Sequence, residues 1–258
     1  MSAIVLITGG SGGIGAAVAR GVRGRGGTPV LVARDRERLQ AIAEPLGVPS
    51  FVCDVLDDAA VAELVKTVEA EVGEIDGLVH AVGSVFLRPL HATSVDDWRK
   101  TFEINATSAF IVMRNLMPLL MRRRRGSVVL FSTVATSMGF ANHESIAAAK
   151  GAIEGLVRSA AISYARYGIR VNAVAPGLTR TDISKHLWQN ETMLAASTAM
   201  HPLGRIGEPA DIAPAVLYFL SADSAWTTGQ IFGVDGGLGT GMLPPKSEGV
   251  FATVGSPS

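Results

Sequence analysis

IVLITGGSGGIG, residues 4–15, is the stretch on which the reading of the whole chain turns. Residues 4–7 are apolar and include β-branched members, the composition of a short buried strand. Thr8 and Gly9 follow, then after three residues Gly13, Ile14 and Gly15, and an alanine-rich helical run extends from about 16 to 25. Strand, glycine turn and helix in that order form the first unit of a nucleotide-binding α/β sheet. Gly9 reaches turn conformations that a β-carbon forbids, Gly13 lets a pyrophosphate approach the backbone, and Gly15 lets helix and strand pack closely. The free N–H groups and dipole of a helix N-terminus then favour phosphate charge. Glycine clusters also build ordinary tight turns; the strand before and the helix after favour the dinucleotide site.

The totals narrow the class. With 258 residues, 48% of them hydrophobic, the chain can bury one large core, and a single domain over 1–258 is expected. Lys+Arg and Asp+Glu both number 23, so no bulk charge favours nucleic acid or an anionic membrane as partner. A lone cysteine, Cys53, excludes an intrachain disulfide and leaves no zinc cluster; no metal is expected, and a reduced compartment fits. The N-terminus enters the first strand without a basic leader, and apolar runs are broken by Gly or charge before bilayer-spanning length. A soluble, cytoplasmic protein is expected.

Further strands are read at 28–32, 50–52, 75–79, 128–131, 169–174 and 230–234, with helices at 59–72, 95 to about 122, 143–165 and 210–220. The expected class is α/β: a single Rossmann-type, doubly wound, mostly parallel seven-stranded sheet flanked by helices. Residues 181–209 carry Leu187, Trp188, Met193, Leu194 and Met200 and read as an amphipathic lid over a pocket, or as ordinary core packing. The run Arg122 to Arg125 before Gly126 reads as a solvated helix C-terminus favoured by the dipole, rather than a nucleic-acid patch. Residues 239–258 are rich in Gly, Pro and Ser, an arm in an oligomer or a loose tail.

The spacing TGxxxGxG in TGGSGGIG, with Asp54, His80-Ala81-Val82-Gly83, Asn105 in FEINATSAF, Lys150 and PGLTRT at 176–181, resembles the short-chain dehydrogenase/reductase family over about residues 4–238. The resemblance implies a cofactor site built from Thr8, Gly9, Ser11, Gly13, Ile14 and Gly15 around the pyrophosphate. Asp54 and the Val55 amide would contact adenine, although Asp54 could equally cap a helix near Asp57 and Asp58. Ala81 and Gly83 are what remains of the family's NNAG beside the adenine ribose. Pro176, Gly177 and Thr181 would brace the nicotinamide carboxamide. Where NAD-preferring members carry Asp at the end of the second strand, this chain has Ala33, followed by Arg34, whose guanidinium can pair with a 2′-phosphate. NADP(H) is therefore preferred, with NAD(H) left open. Gly12 stands where many NADP-preferring relatives place a second basic residue, and Arg34 and Arg36 also read as solvated charges alternating with Asp35 and Glu37. Gly151 and Gly155, four apart in one helix, suggest a close-packed neighbour, and family members commonly pair through this helix as dimers or tetramers.

The family moves hydride between nicotinamide and carbon while a tyrosine, three residues before a lysine in YxxxK, passes the proton. The lysine lowers the phenol's pKa and binds the nicotinamide ribose; a serine polarises the carbonyl. Lys150 matches the lysine, and Thr133, with Ser132 beside it, matches the serine position. Asn105 falls where the family kinks a helix and orders a water touching the lysine; the alternative is a plain surface asparagine, which its place in FEINATSAF disfavours. The tyrosine position, however, is Ile146, and Tyr164, Tyr167 and Tyr218 match no catalytic place. His143, three residues before Ile146 and seven before Lys150, falls on roughly the same helical face and titrates near neutrality. It is either a proton relay or a helix-start histidine without a chemical role. The expected activity is NADP(H)-dependent hydride transfer to or from a carbonyl, alcohol or activated C=C bond of a small hydrophobic molecule, with an atypical proton donor. The alternative is an NADP(H)-binding protein without turnover, a sensor or assembly partner.

Overall fold

The structure, a computed structural model, describes residues 3–241. β1 (Ile4–Thr8) lies at its centre, buried from Val5 to Thr8 because neighbours cover it on both faces. β2 (Thr28–Ala33), β3 (Ser50–Val52), β4 (Ile75–His80), β5 (Gly126–Phe131), β6 (Ile169–Pro176) and β7 (Ile231–Val234) complete a seven-stranded sheet in the order β3-β2-β1-β4-β5-β6-β7. Every strand pair is parallel, so the sheet is wholly rather than mostly parallel. The strand order reverses between β1 and β4, the switch point at which such sheets open a crevice.

Helices cover both faces. α1 (Gly13–Gly24), α2 (Arg36–Leu46) and α9 (Pro209–Leu220) enclose a cluster that includes Val18, Leu31, Leu39 and Phe219. On the other face α3 (Asp58–Glu71), α5 (Ser108–Arg123) and α6 (Glu144–Tyr164) enclose Val65, Leu78, Leu116, Val128 and Ile153. α2 is a helix where the sequence showed only alternating charge: Asp35 accepts a hydrogen bond from the Arg38 amide and caps it, and Gly47 ends it in the left-handed conformation. α3 is capped by Asp57, not Asp54; the Asp54 carboxylate accepts from the Leu56 amide instead.

α4 (Val95–Phe102) runs through a π turn, Glu103–Thr107, into α5. Together they form a 29-residue helix, Val95–Arg123, long and apolar enough by composition to cross a bilayer. Its apolar window is 56% buried in the protein, and Val112, Leu116 and Leu120 pack in the core, as in a core helix. α7 (Lys185–Trp188) and α8 (Glu191–Met200) form the segment read as a lid. Of the 239–258 tail, only residues 239–241 lie within the described residues.

Candidate active site

The parallel sheet delivers the C-terminal ends of β1, β4, β5 and β6 to one edge, and the site is assembled there. Gly9 bends the chain at φ +76, and a β-carbon on it would stand 2.6 Å from the Ala81 carbonyl oxygen. A β-carbon on Gly15 would meet the Gly9 oxygen at 2.3 Å, so the turn folds back onto its own helix only with glycine there. Gly12 holds the N-cap of α1 without a side-chain hydrogen bond, leaving the first-turn N–H groups open to a ligand.

A cavity of about 410 Å³ runs from this turn across the sheet edge. Gly13, Ile14, Gly15, Ala81, Gly83, Pro176, Gly177 and Thr181 form its wall on the side of the glycine turn. Asn105, Thr133, Ile146 and Lys150 line its middle, and Ile183, Leu187, Met193 and Met200 its outer part. The segment read as a lid therefore lines the cavity with apolar side chains, of which Leu187 is half-buried and Ile183, Met193 and Met200 stay exposed. Ser11 lines a second cavity beside the turn, next to Arg180 and Trp188. Exposed Arg34 and Asp54 lie one and two residues beyond the paired strand ends Ala33 and Val52 of β2 and β3. Val55 is a core side chain, so its side chain takes no part in the site.

Thr8 does not line the cavity. It is fully buried, and its hydroxyl donates to His80 Nδ1 at 2.8 Å. His80 Nε2 lies 3.0 Å from Ser108 Oγ, whose own hydrogen goes to the Ile104 carbonyl at 2.6 Å. A carbonyl only accepts, so the proton of a neutral His80 is on Nε2. Burial, and then the charge of Lys150, push His80 down to about 3. This chain ties the base of the glycine turn to the π turn.

Asn105 sits in that π turn, 1% exposed. Its amide donates to the Thr101 carbonyl and to Ser84 Oγ, both at 3.0 Å, and its oxygen accepts from the Ser84 amide at 3.1 Å. A β-carbon on Gly83 would stand 3.0 Å from Asn105 Oδ1 and 3.5 Å from Lys150 Nζ, so these two polar groups flank the Gly83 backbone. Lys150 is 8% exposed, and burial pulls its ammonium down to about 8.

The two hydroxyls after β5 differ in availability. Ser132 also lines the cavity, but its Oγ donates to Glu154 Oε1 at 2.8 Å, so its hydrogen is already engaged. Thr133 Oγ1 accepts from the Ala135 amide at 3.3 Å, leaving its own hydrogen free for the cavity. Ile146, 5% exposed, lines the cavity one helical turn before Lys150. His143 also lines the cavity but is the N-cap of α6, with Nδ1 2.8 Å from the Ala141 carbonyl and its ring against Phe140. Its Nδ1 hydrogen is thus engaged, and Nε2 carries a proton only in the imidazolium form. His80 and Glu154 escaped the sequence reading. The first stands where the family has asparagine; the second is the one acidic residue between Lys150 and the end of α6, one turn beyond that lysine.

Among the described residues no group of His, Cys, Asp and Glu is arranged to hold a metal ion. The family model described as enoyl-(acyl carrier protein) reductase matches residues 9–239. The chain is 34% identical over 227 residues to the inactive 2-(S)-hydroxypropyl-CoM dehydrogenase 2 of Xanthobacter autotrophicus, covering 86% of this chain and 99% of that one. It is 33% identical over 237 residues to the 3-oxoacyl-(acyl-carrier-protein) reductase FabG of Escherichia coli, covering 91% and 96%. The crystal structure of a gluconate 5-dehydrogenase from Burkholderia cenocepacia, in complex with NADP and tartrate, superposes with a TM-score of 0.89 at 30% identity, covering 93% and 96%. Sequence and fold agree along nearly the whole chain, which belongs to the short-chain dehydrogenase/reductase family.

Proposed function

We propose that this protein is an NADP(H)-dependent oxidoreductase that transfers hydride to or from a carbonyl, alcohol or activated C=C bond, without a tyrosine as proton donor. One observation carries the reading: a single cavity joins an uncapped helix N-terminus at the sheet's switch point to Thr133, Lys150 and an apolar lid. The glycine turn fits a dinucleotide, because Gly9 and Gly15 leave no room for side chains and no acidic residue stands in the first turn of α1. The pyrophosphate would lie on Gly13, Ile14 and Gly15, with Ser11 alongside; adenine on Asp54 and Val55; the ribose beside Ala81 and Gly83; and the carboxamide on Pro176, Gly177 and Thr181. Bound there, the nicotinamide supplies or takes the hydride.

Lys150 holds the nicotinamide ribose and keeps a positive charge beside the reacting centre. Asn105, fixed in its π turn, keeps a water against Lys150. Thr133 donates a hydrogen bond to the substrate oxygen as negative charge develops there, and the proton that completes an alcohol comes from His143 as imidazolium or from solvent. His143 lies on the same cavity and relays a proton only as imidazolium. The side chains of Ile183, Leu187, Met193 and Met200 select an apolar substrate body. An assembly of two or four copies is part of this reading: a β-carbon on Gly151 or Gly155 would meet no neighbouring element within 4 Å among the described residues, and Ile162 on the same helix is 81% exposed. The single, buried cysteine fits a reducing cytoplasm.

NADP(H) over NAD(H) rests on exposed Arg34 just past the end of β2, where the strand's last residue is Ala33 and not an acid. Arg34→Ala is expected to weaken NADPH binding about 10- to 100-fold, the scale of a hydrogen bond to a charged group, and to leave NADH binding within about twofold. Equal losses for both cofactors would remove Arg34 from 2′-phosphate recognition.

A further inference from the structure

Glu154 lies on α6 one turn beyond Lys150, with its side chain 15% exposed, and its carboxylate reaches across to the loop that follows β5. Oε1 accepts the Ser132 hydroxyl at 2.8 Å and stands 2.5 Å from Thr136 Oγ1. The Thr136 hydroxyl also lies 2.7 Å from the Thr133 carbonyl, so its hydrogen is shared between that oxygen and the carboxylate. Oε2 accepts from Arg158 at 3.3 Å. A mostly buried carboxylate with this many donors is held firmly, since hydrogen bonds to a charged acceptor are roughly twice as strong as neutral ones.

These contacts bracket Thr133. Ser132 is fixed on one side of it and Thr136 on the other, and Thr133 caps the 3₁₀ turn Val134–Thr136 between them. Resting on the functional reading above, we infer that Glu154 is a positioning residue: it locks the loop after β5 to the helix that carries Lys150, withholds the Ser132 hydroxyl, and presents Thr133 as the one hydroxyl of the pair that meets the substrate oxygen. Glu154 does not touch the substrate. It sets the distance between the two halves of the reacting site, which different elements supply.

The test compares Glu154→Ala and Glu154→Gln with the unmodified protein, using NADPH oxidation with a panel of ketones and enals, NADPH affinity, and amide hydrogen exchange over residues 132–137. Glu154→Ala is expected to lower kcat at least about tenfold, because sub-ångström misplacement of a substrate-polarising group is costly, while NADPH affinity stays within about twofold. The amide oxygen of glutamine accepts the same two hydroxyls, so Glu154→Gln is expected to recover most of kcat. Faster exchange at 132–137 is expected in the alanine variant and not in the glutamine variant. Equal kcat losses in both variants, or exchange at 132–137 unchanged by alanine, would overturn the proposal. Should Glu154→Ala not fold, Thr136→Val removes one clamped hydroxyl and is expected to shift kcat and exchange in the same direction; no shift would overturn it equally. If the unmodified protein neither binds nor oxidises NADPH, the functional reading fails, whereas the exchange comparison still decides whether Glu154 clamps the loop.

Discussion

Ile146→Tyr is expected to raise kcat for ketone reduction about 10²- to 10⁴-fold, the range that a positioned acid contributes, with KM changed far less. Ile146 is buried against the cavity one turn before Lys150, so a phenol there enters the space between that ammonium and Thr133. Burial holds Lys150 at about 8, and its positive charge favours phenolate over phenol, making the introduced tyrosine a stronger acid than a free one. In the natural chain this place is filled by a side chain with no ionisable proton. The neutral His143 ring, with its Nδ1 hydrogen on the Ala141 carbonyl, offers none from Nε2. The comparison is steady-state kinetics of both proteins with one ketone at saturating NADPH. A folded Ile146→Tyr protein that binds NADPH and gains nothing in kcat would place the reacting carbon elsewhere.

Acid stability is the second large effect, and it rests on His80. The unfolded chain protonates this imidazole below about 6.5, whereas burial keeps the folded form neutral down to about 3. The unfolded state therefore binds more protons throughout that window, and stability is lost as pH falls from 6.5 toward 3. At 1.36 kcal/mol per unit, the loss by pH 4.5 is on the order of 2–3 kcal/mol from His80 alone. His80→Asn keeps hydrogen-bonding capacity between Thr8 and Ser108 and removes the titration. Urea unfolding at pH 7, 5.5 and 4.5 is expected to show a curve for His80→Asn that is flatter than the natural protein's by about that amount. Parallel curves would show that His80 does not titrate with unfolding.

The features that were legible in the sequence are those in which local pattern and tertiary role coincide. Residues 4–15 announced strand, turn and helix because the glycines are required by backbone contacts within the turn and with the neighbouring β4 end. Asn105 was legible through the family pattern, and a π turn now surrounds it. α2 was hidden because only Leu39 and Ala43 are buried among its charged residues and Pro45 lies in its last turn, which leaves little apolar periodicity to read. Thr8 looked like a cofactor contact, yet its partner is His80, 72 residues away in sequence. Ser132 was read as a site residue from its place beside Thr133 and does line the cavity, yet the carboxylate that engages its hydroxyl arrives from α6, 22 residues on. Hydroxyl partners are set by which elements the sheet brings together, and no local spacing reveals them.

Hydride transfer from NADP(H) at this cavity is tested most directly by titrating the purified protein with NADPH and NADH, then following NADPH oxidation with mixed ketones and enals. Tighter binding of NADPH than of NADH, and oxidation that depends on added substrate, are the expected results. Binding without oxidation across the panel would contradict catalysis while sparing the cofactor site; no binding of either nucleotide would contradict the central claim itself.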